Sequence, residues 1–368
     1  MSKLMGVIHL DGEQDLFGEL TYFRCGAAVP FGGRYRIIDF VLSNMVNARI
    51  RDVAVFTRRK YRSLMDHLET GKSWDLDRKR GGLFILPPDW NDPTDFSLGE
   101  LQHFHNNRDF LDRGSADYVL ITGAHHICNI DYGKVFAEHL RSGVDVTLIY
   151  QNVQQLEHEH RFEKKLDLDQ NRFVKNITTD ATNHNLYMGM FIIRKALLLE
   201  IVDYCIARRK ENLLQDGIIA NLDRLKVRAY AYKGYLSVVN SIESYFKHSM
   251  ALLDVDAYTQ LFLNRKPIYT KVKDEPPTRY TKDAKVKGSL FANGCVIEGT
   301  VENSILFRGV HVHKNAVVRN SIIMQRCNIQ EGTVLENVIL DKDIIISPDR
   351  TIIGPPEHPH VIAKRKVI

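Results

Sequence analysis

The sequence predicts an α/β chain in which a doubly wound, Rossmann-like domain is followed by a three-sided parallel β-helix of hexapeptide repeats. Three observations carry this expectation. Over roughly the first 245 residues, short β-branched runs alternate with stretches of helical period, the pattern of a mostly parallel sheet covered by helices. From about Lys285 the texture changes to short β-rich runs separated by Gly, Asn and charged residues. Within that C-terminal region a single motif returns at a fixed spacing.

In chain order, the strands expected of the first domain include Met5 to Leu10, Asp52 to Phe56, Tyr118 to Thr122 and Val144 to Tyr150. Tyr61 to Glu69 and Tyr132 to Arg141 carry apolar residues at helical spacing and read as crossover helices. Pro267, Pro276, Pro277 and the polar stretch Lys271 to Lys285 mark a linker. The expected domains are therefore 1–250 and 285–368, joined by 251–284.

In the second domain, Glu302-Asn303-Ser304-Ile305-Leu306 returns as Arg319-Asn320-Ser321-Ile322-Ile323 and as Glu336-Asn337-Val338-Ile339-Leu340, seventeen residues apart each time. Apolar residues recur every six, at Val310, Ala316, Ile322, Val334, Leu340 and Ile346, with Asn328 breaking the row. Six residues per face and about eighteen per coil describe a three-sided prism, in which Asn303, Asn320 and Asn337 would stack as a ladder. The competing reading is an irregular β-sandwich.

Composition narrows the function. A chain of 368 residues, 44% hydrophobic and 26% charged, buries a sizeable core. No uninterrupted apolar window is long enough to span a membrane and the start lacks a secretory pattern, so the expectation is a cytoplasmic protein. Cys25, Cys128, Cys205, Cys295 and Cys327 are scattered without a paired motif, which predicts reduced thiols. The net charge of +5 is interspersed with acidic residues, which argues against nucleic acid and fits anionic small molecules.

One segment is more specific. Val29-Pro30-Phe31-Gly32-Gly33-Arg34-Tyr35-Arg36-Ile37-Ile38-Asp39-Phe40, followed by Leu42-Ser43-Asn44, closely resembles a signature of ADP-glucose pyrophosphorylases. Ser73 to Arg78 with Gly81-Gly82 and Leu86-Pro87-Pro88, then Ile130-Asp131-Tyr132, then Ser241 to Tyr245 are similar to later landmarks in the same order. The resemblance covers nearly the whole chain. It implies a nucleotidyltransferase-like domain with a C-terminal left-handed β-helix. It also implies glucose-1-phosphate adenylyltransferase chemistry, in which glucose-1-phosphate attacks the α-phosphate of ATP to give ADP-glucose and pyrophosphate. That reaction needs backbone donors, cations and a carboxylate-held Mg²⁺.

Against that pattern the chemical positions are degenerate. The glycine-rich loop aligns with Leu10 to Phe17, where only Gly12 survives; Leu16 stands in the Arg position, and Asp11, Glu13 and Asp15 would repel polyphosphate. Gly26 replaces a lysine. Ala124, in Thr122-Gly123-Ala124-His125, replaces one metal-binding Asp, and Val238 replaces the second. No "EKP" occurs between Phe173 and Asp180. Tyr187 replaces the serine of an "SMG" run, and Gly99-Glu100-Leu101-Gln102 stands for "GTAD".

By this resemblance the chain is similar to the GlgD-type subunits of the family. The implied role is a non-catalytic, regulatory chain that binds no cofactor, leaving Mg²⁺ to a catalytic partner with which it forms a hetero-oligomer, by resemblance a tetramer. Arg24, Arg34 and Arg36 form a basic cluster, and Arg24 and Arg36 align with positions the family uses for anionic effectors such as sugar phosphates or nucleotides. The alternative for the cluster is ordinary surface ion pairing.

Three further readings stay open. A weakly active enzyme would hold metal through Asp11, Asp15 or His125. An acyltransferase would use His311 and His313, which alternate along one strand and face the same side. His125-His126 and His158-Glu159-His160 invite a metal reading, against ordinary solvent or core positions.

Overall fold

The computed structural model describes residues 3–10, 17–88, 99–263 and 266–368. The readings made on Asp11 to Leu16 therefore fall outside the described residues. The chain forms two compact units that cut across chain order. The first takes the described parts of Met1–Gln14, Phe40–Leu236 and Lys266–Ile268; the second takes those of Asp15–Asp39, Ser237–Arg265 and Tyr269–Ile368.

The first unit is built on a mixed nine-stranded sheet. At its centre Leu4–His9 lies parallel to both Asp52–Phe56 and Tyr118–Thr122, and Gly82–Leu86 adds a further parallel strand. The three central strands are almost wholly buried and read as continuous apolar runs, as expected for a sheet covered on both faces. Asn185–Arg194 runs antiparallel to Tyr118–Thr122 and to Val146–Asn152. Its register with Val146–Asn152 shifts between Tyr187 and Met190, and Gly189 takes a φ of 64° in that bulge.

The expected strands lie within two residues of the observed ones. The helix expected over Tyr132 to Arg141 spans Tyr132–Ser142. Asp131 starts it by accepting from the N–H groups of Gly133 and Lys134, and Gly143, at φ 62°, ends it.

The second unit contains the left-handed parallel β-helix: three five-stranded parallel sheets, one per face. Its coils begin at Arg279–Tyr280, ahead of the expected Lys285. Between the regular coils, paired residues are seventeen apart, as in His311↔Asn328, Val317↔Val334 and Ile322↔Ile339. The interior rows follow that step: Val312, Ile329 and Ile346; Val318 and Leu335; Leu306, Ile323 and Leu340. The six-residue row is thus only partly right, because Val334 is partly exposed while Leu335 points inward. A seventeen-residue coil does not divide into three equal hexads, so a strict sixfold count drifts off the interior.

Asn303, Asn320 and Asn337 share a left-handed backbone, with φ 44°, 43° and 52°. Asparagine tolerates this conformation better than most residues, and that accounts for its return at this corner. The hydrogen-bonded ladder runs instead through the following position. Ser289 Oγ accepts from Ser304 N–H, Ser304 Oγ from Ser321 N–H, and Ser321 Oγ from Val338 N–H, each at 3.1 Å. One corner shortens once: Ile297 and Thr300 are separated only by Glu298 and Gly299, where the following coils use His313 to Ala316 and Gln330 to Thr333, and a Cβ on Gly299 would collide with the carbonyl oxygens of His313 and Ala316.

The stretch read as a linker is largely structured. Residues 251–263 form short helical turns, one of them capped by Asp254, which accepts from Asp256 and Ala257 N–H. Phe262 stacks on Tyr35 with ring centroids 5.1 Å apart. The described residues of 15–39 join this unit as well, since Tyr245 donates to the Pro30 carbonyl at 2.7 Å and Arg24 pairs with Asp341. Proline and polar composition marked the boundary in sequence but could not reveal these long-range bonds.

Candidate functional site

In an open parallel sheet the carboxyl ends of the central strands are where ligands bind. In the first unit, Thr122-Gly123-Ala124 leaves the sheet at that edge. Ala124 is 2% exposed and presents a methyl group, which has no lone pair for a metal. At the neighbouring strand ends His9 stacks on Phe104, centroids 5.7 Å apart, and Phe56 packs against both His103 and Phe104. Rings brought by the helix Glu100–Asn106 thus sit against the end of the first strand.

Tyr187 is buried on Asn185–Arg194, and its phenol is pushed well above the ordinary range by burial and, secondarily, by the Glu100 carboxylate. A neutral phenol near a carboxylate is a poor cradle for a sugar phosphate. Glu100 meanwhile accepts from the Leu213 N–H at 3.1 Å, a structural task. Of the histidines singled out in sequence, His125 and His126 meet Glu163. His160 turns its Nδ1 to accept from the Glu157 N–H at 3.0 Å, closing a short capping turn.

In the second unit, Gly26 opens the buried turn Gly26–Ala28, and Val238 ends the strand Leu236–Val238 at 1% exposure. The arginines divide into two groups. Arg24 is 1% exposed and its Nη2 donates to both oxygens of Asp341, at 2.7 and 2.6 Å. Its Nη1 is buried with no hydrogen-bond partner. Arg36 faces the same region, because Lys342 is pushed down to about 6 first by burial and then by Arg36 and Arg24. Lys364 is lowered too, by burial and by Arg24. Arg34 stands apart: it is exposed, lies 5.8 Å from the Tyr35 ring centroid, and opposes Arg308.

Lys342, Lys364 and Asp341 were not singled out in sequence, yet a signal was present. At seventeen-residue spacing Asp341 follows Phe307 and Met324, both fully buried, so a carboxylate stands in an apolar row and requires a buried cation.

A doubly wound sheet of this order, carrying a hexapeptide β-helix, defines a nucleotidyltransferase-type chain. Consistent with this, a protein-family model described as "Nucleotidyl transferase" matches residues 15–162, and one described as "GlmU-like, C-terminal hexapeptide" matches residues 276–359. The chain is 40% identical to the glycogen biosynthesis protein GlgD of Bacillus subtilis (strain 168), over 99% of this chain and 96% of that one. It is 44% identical to the protein of that name from Geobacillus stearothermophilus, over 86% and 83%. Against a glucose-1-phosphate adenylyltransferase of Clostridium perfringens (strain 13 / Type A) it is 34% identical, over 89% and 85%. The chain belongs to the family of GlgD glycogen biosynthesis proteins and glucose-1-phosphate adenylyltransferases.

Among the described residues, no helix is long and apolar enough to cross a membrane.

Proposed function

We propose that this chain is a regulatory subunit of glucose-1-phosphate adenylyltransferase in glycogen biosynthesis, without turnover of its own, that assembles with a catalytic subunit and modulates it. What supports this reading is the alkyl side chain of Ala124 and Val238, where the resemblance places the family's metal-binding carboxylates, in a chain similar to the family over nearly its whole length. It requires no cofactor of this chain; Mg²⁺ belongs to the partner. Mixing with a catalytic subunit is expected to give a hetero-oligomer, a tetramer with both subunit types, of closed symmetry. Its apparent substrate affinity or maximal rate differs from that of the catalytic homomer, because a partner acts through differential affinity for active and inactive states. Light scattering after size exclusion, with parallel kinetics, checks this. Separate elution with unchanged kinetics would end the proposal.

The effector reading attaches to Arg24, Arg36 and Lys342. Arg34 lies with Arg308 and is not needed for it. Several cations crowd around one carboxylate, Asp341, which leaves net positive charge for a phosphate-bearing metabolite to neutralise. The depressed Lys342 gives the site a signature. Its proton is lost on folding between about pH 6 and its ordinary value of 10.5, so stability rises with pH through that window and the cost of burying the ammonium is complete below it. A bound phosphate group favours the ammonium again. At about pH 7.5, anion binding is therefore expected to take up close to one proton per site. Calorimetry in buffers of differing ionisation enthalpy reads this uptake, and Lys342→Gln should abolish it. Uptake that persists in that variant would remove Lys342 from the site. Arg36→Ala is the matching test of response in the mixed complex, since Arg24 is too deeply paired to be changed without structural cost.

A further inference from the structure

We propose that His125, His126 and Glu163 form a binding site for a zinc-class divalent transition-metal ion. All three belong to the first unit. His125 and His126 lie where the chain leaves Tyr118–Thr122 and enters the strand His126–Cys128; Glu163 precedes the strand Lys165–Leu168. Glu163 Oε2 is 3.9 Å from His125 Nε2 and 4.0 Å from His126 Nε2, and one ligand atom from each residue lies within 4.8 Å of the others. A tetrahedral ion with bonds near 2.1 Å holds its ligand atoms about 3.4 Å apart. Closing from the observed spacing therefore takes roughly half an ångström on the two Glu163 legs and at most about 1.4 Å between the histidines.

The state of His126 is the independent observation. Its side chain is 2% exposed, and both ring nitrogens are buried without a hydrogen-bond partner. A buried imidazole ordinarily engages at least one nitrogen, and a metal ion is the acceptor of lone pairs that would complete this one. Gly189, in its bulge, lies beside both rings, where a Cβ would make ordinary contacts at 3.6 Å with His126 Nδ1 and 3.9 Å with His125 Cε1.

Two imidazoles and one carboxylate suit zinc or its neighbours rather than Mg²⁺, which prefers oxygen and water. His125 and Glu163 have side-chain exposures of 25% and 17%, so both are partly open to solvent. A second group, Glu298, His311 and His313 on the β-helix, is weaker: its histidines are 34% and 32% exposed, they stack on each other at 3.7 Å, and His313 Nε2 is engaged by Asn328 at 2.7 Å. It serves as an internal control.

The test uses the full chain, stripped with a chelator and titrated with Co²⁺, whose low-coordinate complexes absorb strongly in the visible. One equivalent is expected to generate that band, Zn²⁺ to bleach it, and Mg²⁺ to leave it unchanged. Glu163→Gln and His125→Asn, both at partly accessible positions, should weaken binding by at least about 10–100-fold, the loss already usual for outer-shell partners. His126→Ala should abolish it, with circular dichroism confirming the fold. Changing both His311 and His313 to Ala should leave the band intact. Absence of a stoichiometric band, or a band that survives Glu163→Gln and His125→Asn, overturns the site. This inference is independent of the regulatory reading, since cobalt binding is measured on the chain alone.

Discussion

Supplied with ATP, glucose-1-phosphate and Mg²⁺, the isolated chain is expected to form ADP-glucose at no more than about one ten-thousandth of the rate of its catalytic relatives. Removing one preorganised charge-stabilising group typically costs about 10²–10³ in rate, and such losses combine without simple additivity. By the resemblance, the methyl group of Ala124 and the isopropyl group of Val238 stand at two such positions, and Gly26 at a third that would carry a cation. Single reversions, Ala124→Asp or Val238→Asp, should therefore recover nothing measurable. Pyrophosphate release, with a chelator-treated blank, is the measurement. Turnover within tenfold of the relatives would defeat the prediction; if Glu163→Gln then abolished it, substitute metal ligands would be the explanation.

The second large effect is on stability. Arg24 and Asp341 are each 1% exposed, so removing the carboxylate leaves a guanidinium without its counter-ion in a dry environment. Asp341→Ala is expected to cost about 3–5 kcal/mol of unfolding free energy. Replacing both partners by apolar residues of similar volume is often neutral or better. The double variant Arg24→Met, Asp341→Met, which continues the row of Phe307 and Met324, should therefore recover most of the loss. Urea denaturation followed through the second unit's aromatic residues compares the three proteins. A single variant within about 1 kcal/mol of the unchanged chain would mean that water reaches the pair.

How much of this was legible in sequence depends on range. Asp52–Phe56 and Tyr118–Thr122 follow from local apolar runs, and the coil period follows from the returning Asn303, Asn320 and Asn337. The compact units cut across the boundaries expected from sequence, because Arg24 meets Asp341 across 317 positions and Tyr245 meets Pro30 across 215. Neither bond has a local signature. The site divided the same way. Ala124 and Val238 are visible against the family's pattern, whereas Lys342 enters the cationic cluster only through the β-helix register. Arg34 looked equivalent to Arg36 in the sequence, but Arg34 lies in the turn before the strand Tyr35–Arg36, and the structure sends it toward Arg308.

The uneven corners of the β-helix set where this region of the chain can change length. Within a face, adding one residue turns an inward Ile or Val outward and breaks register with two neighbouring coils. At a corner the same residue simply bulges into solvent. The coils already differ in length: the corner at Glu298-Gly299 has two residues where the next coil has four, and the pairing Ile339↔Val361 has a longer step that takes in the exposed stretch Pro355–His358. That stretch is where an epitope tag or a small fused domain should be accepted with the coils intact, whereas any side chain at Gly299 must first displace the carbonyls of His313 and Ala316.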